Sequence, residues 1–332
     1  MPARATRSFG AKPSPAAFIC RPTTRPASPP QPHTKRFLIP ASKVDLINQR
    51  IALRDGRTLG FAEYGVPNGR PLIYLHGWPG SRLEPYAMRQ GCARMGLRMI
   101  APDRPGLGLS DFKPGRTLTD FADDVSELAD YLGWNRFAVL GVSGGGPYAA
   151  ACAARIPQRV TVALLVCGVG PADAPDAIKN MVAINRWLLA MARKFPRVAG
   201  GVAGLCLRVI WRKGHQVIPR QIEARLPPSD QKALENAELR QALIDSSTEA
   251  LRRGVRGAAA DGLLYAKPWG FALSEIGVPV FLWHGEADIV VPASMGHHLA
   301  ENIPNCQAQF FPDDGHFSLP YNRLDEILKR VV

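Results

Sequence analysis

Apolar residues along this chain fall into two alternating patterns. Short continuous runs, four to eight residues long and bounded by Gly, Pro or Asp, cover 71–76, 97–103, 136–142, 160–167, 278–284 and 308–311. Runs of that length, rich in Val, Ile, Leu and Phe, predict buried strands. The segment from Ile51 to Tyr64 predicts two further strands joined at Asp55-Gly56, a dipeptide suited to a hairpin turn. Between the later runs, apolar positions recur at helical spacing. One stretch places Phe121, Val125, Leu128 and Leu132 on a single stripe. It opens on the capping box Thr117-Leu-Thr-Asp120 and stops at Gly133. Helices are also predicted over about 81–95, over the small-residue run 146–155, over 293–302 and at the end of the chain.

Strands separated by helices of this length need crossover connections. The pattern therefore predicts the α/β class, with a mostly parallel sheet and helices on both faces. In such sheets reactive groups gather at the carboxyl ends of the strands. The alternation is interrupted once. From about Pro171 to Ser274 the chain reads as helices broken by Pro and Gly, among them 183–195, 202–212 and 231–252. The expected organisation is a core of 45–170 and 275–332, with 171–274 as a helical cap over its site. Trp187, Leu188, Met191, Trp211 and Trp269 are expected in the core of that cap, some of them lining an apolar pocket.

Residues 1–44 are a separate matter. They are rich in Pro, Arg, Ser and Thr, have no apolar periodicity, and hold eight basic residues and no acid. That composition predicts disorder. It fits an organelle transit peptide, or translation from upstream of a true start at Val44; the second reading is favoured, with a cytoplasmic location.

The net charge of +13 suggests a nucleic-acid partner until it is mapped. Residues 171–275 hold 16 basic and 10 acidic residues, and everything outside that insert and the tail holds 17 basic and 18 acidic. The scaffold is neutral, and no basic stripe interleaved with aromatics appears, so no nucleic-acid partner is expected. The basic insert reads as solvated helix faces, or as a surface that attracts anionic acyl substrates or touches a membrane loosely. No run is long and apolar enough for stable membrane insertion. The six cysteines form no C-x-x-C pair and fall largely in predicted strands and helices, as buried reduced thiols do.

The candidate chemistry centres on Gly141-Val-Ser143-Gly-Gly145, between a run of strand formers and a run of small helix formers. A serine in a sharp strand-to-helix turn needs small neighbours because the backbone crowds itself there, and the turn lifts its hydroxyl clear of the sheet. With 31 glycines in the chain, the string alone is weak. A serine nucleophile also needs a base, and the base an orienting carboxylate. Two late loops supply them: Gly285-Glu-Ala-Asp288 and Asp313-Asp-Gly-His316. Ser143, Asp288 and His316 are the expected catalytic residues. Glu286 and Asp173 compete for the role of acid. His76 and His284 end strands and are expected to fill structural hydrogen bonds, His297 and His298 to lie on a helix surface, and Asp313 and Asp314 to form a turn. The oxyanion should be held in part by the N–H of Gly144, directly after the nucleophile.

The order Ser, Asp, His, with His76-Gly-Trp-Pro-Gly80, Asp103-Arg-Pro-Gly-Leu-Gly-Leu-Ser110, His284-Gly-Glu-Ala-Asp288 and Gly315-His316, resembles the α/β-hydrolase superfamily over about 48–332. The resemblance implies a serine hydrolase with an α/β-hydrolase fold and helical cap. It also implies a second oxyanion donor at Trp78, no cofactor and no metal. His76-Gly-Trp-Pro is similar to a loop of epoxide hydrolases, but those attack with aspartate where this chain has Ser143. The 103–110 turn resembles that of proline iminopeptidases; Glu223, Glu235 and Glu238, which could bind a substrate amine, read instead as a solvated helix face. The expected substrate is a small-molecule carboxylic ester. Amide, carbon–carbon bond and perhydrolysis chemistry use the same scaffold, and a ligand-sensing receptor of slow turnover is the reading from outside enzymology. Residue patterns do not fix the oligomeric state.

Overall fold

The computed structural model describes residues 46–174, 176–177, 181–212 and 223–332, so the basic tail and 213–222 lie outside the described residues. Gln49–Ala52 (β1) and Thr58–Gly65 (β2) form the expected hairpin, antiparallel, with Gly56 at φ +83° in its turn. A positive φ of that size is open to glycine at little steric cost. The remaining strands are Arg70–Leu75 (β3), Leu97–Pro102 (β4), Phe137–Val142 (β5), Val160–Val166 (β6), Val280–Gly285 (β7) and Cys306–Phe311 (β8). They make one eight-stranded sheet in the order β1-β2-β4-β3-β5-β6-β7-β8. β2 runs antiparallel to β4; every pair from β4 onward is parallel. All six residues of β5 are buried, which explains an apolar run without alternation.

The helices of the core are Arg89–Arg94 (α1), Asp120–Tyr131 (α2) and Gly146–Arg155 (α3). At the entrance to α2, Thr117 N–H donates to Asp120 Oδ2 at 2.6 Å and Asp120 N–H donates to Thr117 Oγ1 at 3.2 Å, the reciprocal pair expected of a capping box. The single helix expected over 81–95 is instead a 3-10 turn, Glu84–Met88, followed by the short α1. Pro85 at its start offers no N–H, and Glu84 is turned inward against the neighbouring strand and loop.

Between β6 and β7 the insert forms Ala183–Lys194 (α4), Pro196–Arg212 (α5), Pro228–Leu234 (α6), Ala237–Ala250 (α7) and Arg256–Leu264 (α8). The helix expected over 231–252 is two helices, because Asn236 accepts from Leu239 N–H at 2.9 Å and caps a fresh start. Trp269 is buried as expected, whereas Trp187 is 46% exposed: it faces out from α4 rather than into the insert. Trp211 belongs to a stretch whose side chains are not described. After β7 come Ala293–Asn302 (α9), Ser318–Asn322 (α10) and Leu324–Lys329 (α11). Among the described residues no helix is long and apolar enough to cross a membrane.

The chain leaves β3 toward one edge to make β4, then crosses back over β3 to place β5 on its other side. The strand order therefore reverses between β3 and β5. The crevice outside the carboxyl ends at such a switch point is where ligands bind in open α/β sheets. The carboxyl end of β3 is followed by His76-Gly77-Trp78, and that of β5 by Ser143.

Candidate active site

Crowding at the end of β5 sets the turn. A Cβ on Gly145 would run into the carbonyl oxygen of Leu75, and one on Gly146 would lie 2.8 Å from Gly168 Cα. With no side chains there, the backbone folds back at Ser143, which adopts φ +54°. A serine in that region is strained. Its carbonyl accepts Val169 N–H at 3.0 Å, which ties the turn to the end of β6.

Ser143 Oγ lies 3.0 Å from His316 Nε2, and His316 Nδ1 lies 2.7 Å from Asp288 Oδ2. Asp288 is itself fixed: Oδ1 accepts from Val290 N–H and Val291 N–H, each at 2.8 Å. The three residues come from the loops after β5, β7 and β8, and the long-range spacing brings them within one hydrogen-bonded chain. Burial by itself would favour neutral His316, but the charge of Asp288 and its hydrogen bond outweigh that and raise the imidazole above its ordinary value.

The competitors lie elsewhere. Glu286 is exposed and pairs with His297 at 2.9 Å, and Asp173 is exposed beyond β6. Asp314 accepts from Asn322 at 2.8 Å inside the turn, while Asp313 is exposed. His298 stands on α9 beside Asn302. His76 accepts Arg104 N–H on Nε2 at 3.3 Å and contacts Gly77 O through Nδ1 at 2.9 Å. Burial, then the nearby Arg104 charge, depresses His76 well below its ordinary value. His284 Nε2 meets Val291 O at 2.9 Å. His76 is thus bonded through both ring nitrogens and His284 through Nε2, the buried Nδ1 of His284 having no hydrogen-bond partner among the described residues. Glu223 pairs with Arg240 at 2.5 Å, and Glu238 pairs with Arg89.

Trp78 and Gly144 face each other across the site. A Cβ on Gly144 would come within 2.9 Å of Trp78 Cβ and 2.5 Å of the Tyr265 hydroxyl, so only glycine leaves the turn open. The Trp78 indole donates to Ala258 O on α8 at 2.8 Å, linking the β3 loop to the insert. Cys167, Asp288 and His316 bring potential ligand atoms within 4.8 Å of one another. Burial pushes the Cys167 thiol well up, and both ring nitrogens of His316 already have partners, which favours proton transfer along the chain over metal ligation.

Three polar groups around the site, Asp230 and Asp261 buried and Glu84 half-buried, had no signal in the sequence pattern. Asp230 of α6 accepts from His316 N–H at 2.9 Å, Phe317 N–H at 2.9 Å and Ser318 N–H at 2.8 Å. Asp261 of α8 pairs with Arg104 at 2.8 Å and with Arg116, and accepts from the Tyr148 hydroxyl. Burial alone would raise Asp261, but the two arginines carry it well below the usual carboxylate range. Arg104 in turn donates to the carbonyls of His76 and Gly77, bracing the loop that carries Trp78. Glu84 accepts from Tyr74 Oη–H at 2.7 Å and Gly77 N–H at 2.8 Å, and burial raises its carboxyl. A motif of adjacent residues can reveal Ser143; Asp230 and Asp261, whose partners lie scores of residues away, leave no such local trace.

A mostly parallel sheet with a strained serine turn at its switch point and a helical insert after β6 is the α/β-hydrolase fold, and the chain is a hydrolase built on that fold. The family model described as the α/β-hydrolase fold matches residues 70–209. The chain is similar to a bifunctional esterase/perhydrolase of Acinetobacter calcoaceticus, 27% identical over 300 residues, covering 85% of this chain and 97% of that one. It is 25% identical over 264 residues to a pimeloyl-acyl-carrier-protein methyl ester esterase of Nitrosomonas europaea, covering 75% and 89%. Among solved structures, a bromoperoxidase from Bacillus anthracis superposes with TM-score 0.63 at 19% identity, covering 86% of this chain and 99% of that one.

Proposed function

We propose that this protein is a serine esterase that works through an acyl-enzyme. Ser143 Oγ attacks the ester carbonyl while His316 Nε2 takes its proton, and Asp288 holds the imidazole in the tautomer that can accept. The carbonyl π electrons move to oxygen, and the N–H groups of Gly144 and Trp78 receive that oxyanion. Each such donor is worth about 3 kcal/mol in related acyl transfers. Collapse of the tetrahedral intermediate breaks the bond to the alcohol oxygen, which leaves with the proton from His316. Water then repeats the sequence on the acyl group and restores Ser143.

The observation that carries this reading is the hydrogen-bonded chain Ser143–His316–Asp288, at 3.0 and 2.7 Å, under a partly apolar cavity. The Acinetobacter and Nitrosomonas relatives are named as esterases, which supports the ester over the amide. A panel of p-nitrophenyl esters set against aminoacyl amides and diketones tests it. Ester turnover with a burst of nitrophenol is expected, and turnover confined to the amides or diketones would contradict it.

One relative favours a second outcome of the same acyl-enzyme. The Acinetobacter protein is named as both esterase and perhydrolase. Hydrogen peroxide in place of water would release a peracid from acyl-Ser143, again with His316 as base. Peracid formation from acetate esters and peroxide, lost in Ser143→Ala, is the expected signature.

A further inference from the structure

Ser143 stands where two cavities meet. The smaller, about 110 Å³, is walled by Gly144, Leu188, Ala199, Ala203 and Val291. The larger, about 280 Å³, reaches His316 and Glu84 and is otherwise mostly apolar, with Leu226, Leu239 and Leu243 in its wall. Trp78 and Val290 border both. His316 borders only the larger and Gly144 only the smaller. In acyl transfer the departing oxygen must face the group that protonates it, and the oxyanion must face its N–H donors. With the departing oxygen toward His316, the alcohol portion would occupy the larger chamber, which leaves the smaller one to the acyl portion.

Glu84 brings a carboxylate to the wall of the larger chamber. Both hydrogen bonds that it accepts end on Oε1. A Cβ on Gly77 would lie 3.3 Å from Oε2 and 3.4 Å from Ser143 Cβ, so a single glycine separates this oxygen from the candidate nucleophile. A Cβ on Gly80 would lie 2.5 Å from the same oxygen. The bare loop makes room for a carboxylate whose second oxygen receives no donor among the described residues. An acceptor kept in an apolar chamber is costly unless an entering molecule supplies a donor. We propose that Glu84 selects the leaving group: the preferred ester joins a short acyl group to an alcohol carrying a hydrogen-bond donor, hydroxyl or ammonium, that reaches Glu84 Oε2.

This inference rests on the esterase reading of the same site, and the test separates the two. Butyl, 3-hydroxypropyl and 3-aminopropyl esters of one short acid are compared by kcat/KM in the wild type and in Glu84→Gln, which keeps an acceptor for Tyr74 and Gly77. A donor-bearing ester should exceed the butyl ester at least about tenfold in the wild type, and Glu84→Gln should reduce that preference to about threefold or less, mainly through KM. Equal rates on all three in the wild type would overturn the role of Glu84 and leave the esterase reading standing; this arm needs no variant. No turnover of any ester, with no fluorophosphonate labelling of Ser143, would overturn both.

The insert also carries an outward surface that is independent of that chamber. Residues 177–222 contain nine Lys and Arg and no acid, and the four of these whose side chains are described, Arg186, Arg193, Lys194 and Arg208, are exposed on α4 and α5. In the same stretch Trp187, Phe195, Val198, Leu205 and Val209 are 45–61% exposed. Val198, Leu205 and Val209 fall on one stripe of α5, while Ala199 and Leu207 on its other side are buried. Large exposed apolar side chains among basic residues are the pattern of a helix that lies in a membrane interface. A second copy of so basic a face would repel the first, whereas anionic headgroups complement it. We infer that α4 and α5 dock on anionic lipid. The full chain should co-sediment with phosphatidylcholine vesicles containing phosphatidylglycerol and not with phosphatidylcholine alone. The double variant Trp187→Ala, Leu205→Ala should weaken binding at least about tenfold. Equal partition to both vesicles, no sedimentation with either, or self-association through the same two residues would overturn the inference.

Discussion

Asp230 fastens the loop that carries His316. The carboxylate arrives from the insert, more than eighty residues upstream, and its Oδ2 accepts His316 N–H at 2.9 Å. Oδ1 accepts Phe317 N–H, Ser318 N–H and the Ser318 hydroxyl, so one side chain satisfies three successive N–H groups leading into α10. Buried N–H groups lose substantial free energy when a charged acceptor is removed. Asp230→Ala should cost about 2–4 kcal/mol in denaturant unfolding and lower kcat/KM at least about tenfold, because the imidazole loses its fixed position. Full activity in that variant would show that the loop is held by something else.

The pH profile follows from the imidazole. His316 must be neutral to take a proton from Ser143, and its pKa is raised because Asp288 outweighs the effect of burial. The acid limb of kcat/KM should therefore have its midpoint above 6.5, with activity increasing as pH rises through it. Asp288→Asn should move that midpoint down while reducing kcat by about 10⁴. In stability the sign is opposite: the His316–Asp288 interaction contributes fully below the unfolded value and is lost as pH rises through the folded one. Initial rates across pH, with denaturation at the same points, check both halves.

Gly145 tests the elbow. Its missing Cβ is what lets the turn lie against the Leu75 carbonyl. Gly145→Ala should destabilise by about 2 kcal/mol or more, since backbone rather than a flexible side chain must yield. A thermal melt unchanged from the wild type would contradict that packing.

The Asp261 cluster tests how the insert is joined to the core. Asp261→Asn leaves Arg104 and Arg116, both buried, opposite a neutral amide. The expected loss is about 3–5 kcal/mol. Slower turnover should accompany it, because Arg104 also holds the His76 and Gly77 carbonyls beneath Trp78. Chemical denaturation together with kcat/KM on a single ester checks both.

These groups also mark the boundary of what the sequence could tell. β5 announces itself because burial on both faces demands a continuous apolar run, and Ser143 because the turn demands small neighbours over a few adjacent positions. Asp288 and His316 were legible as loops after strands, since an alternating fold puts such loops at one end of the sheet. Asp230 and Asp261 were not, because each looks like an ordinary helix acid until the fold buries it against partners far away in the chain, and Glu84 looks like an ordinary loop acid until its turn packs it against Tyr74 and Gly77. Trp187 shows the opposite error. An aromatic at helical spacing is expected inside, yet α4 turns it outward.

The central claim is that Ser143 is the nucleophile, and covalent capture tests it most directly. A fluorophosphonate probe should add one mass equivalent to the intact protein, map to the peptide containing Ser143, and fail to label Ser143→Ala. Undiminished labelling of Ser143→Ala, or a label carried by another residue in the wild type, would contradict the account.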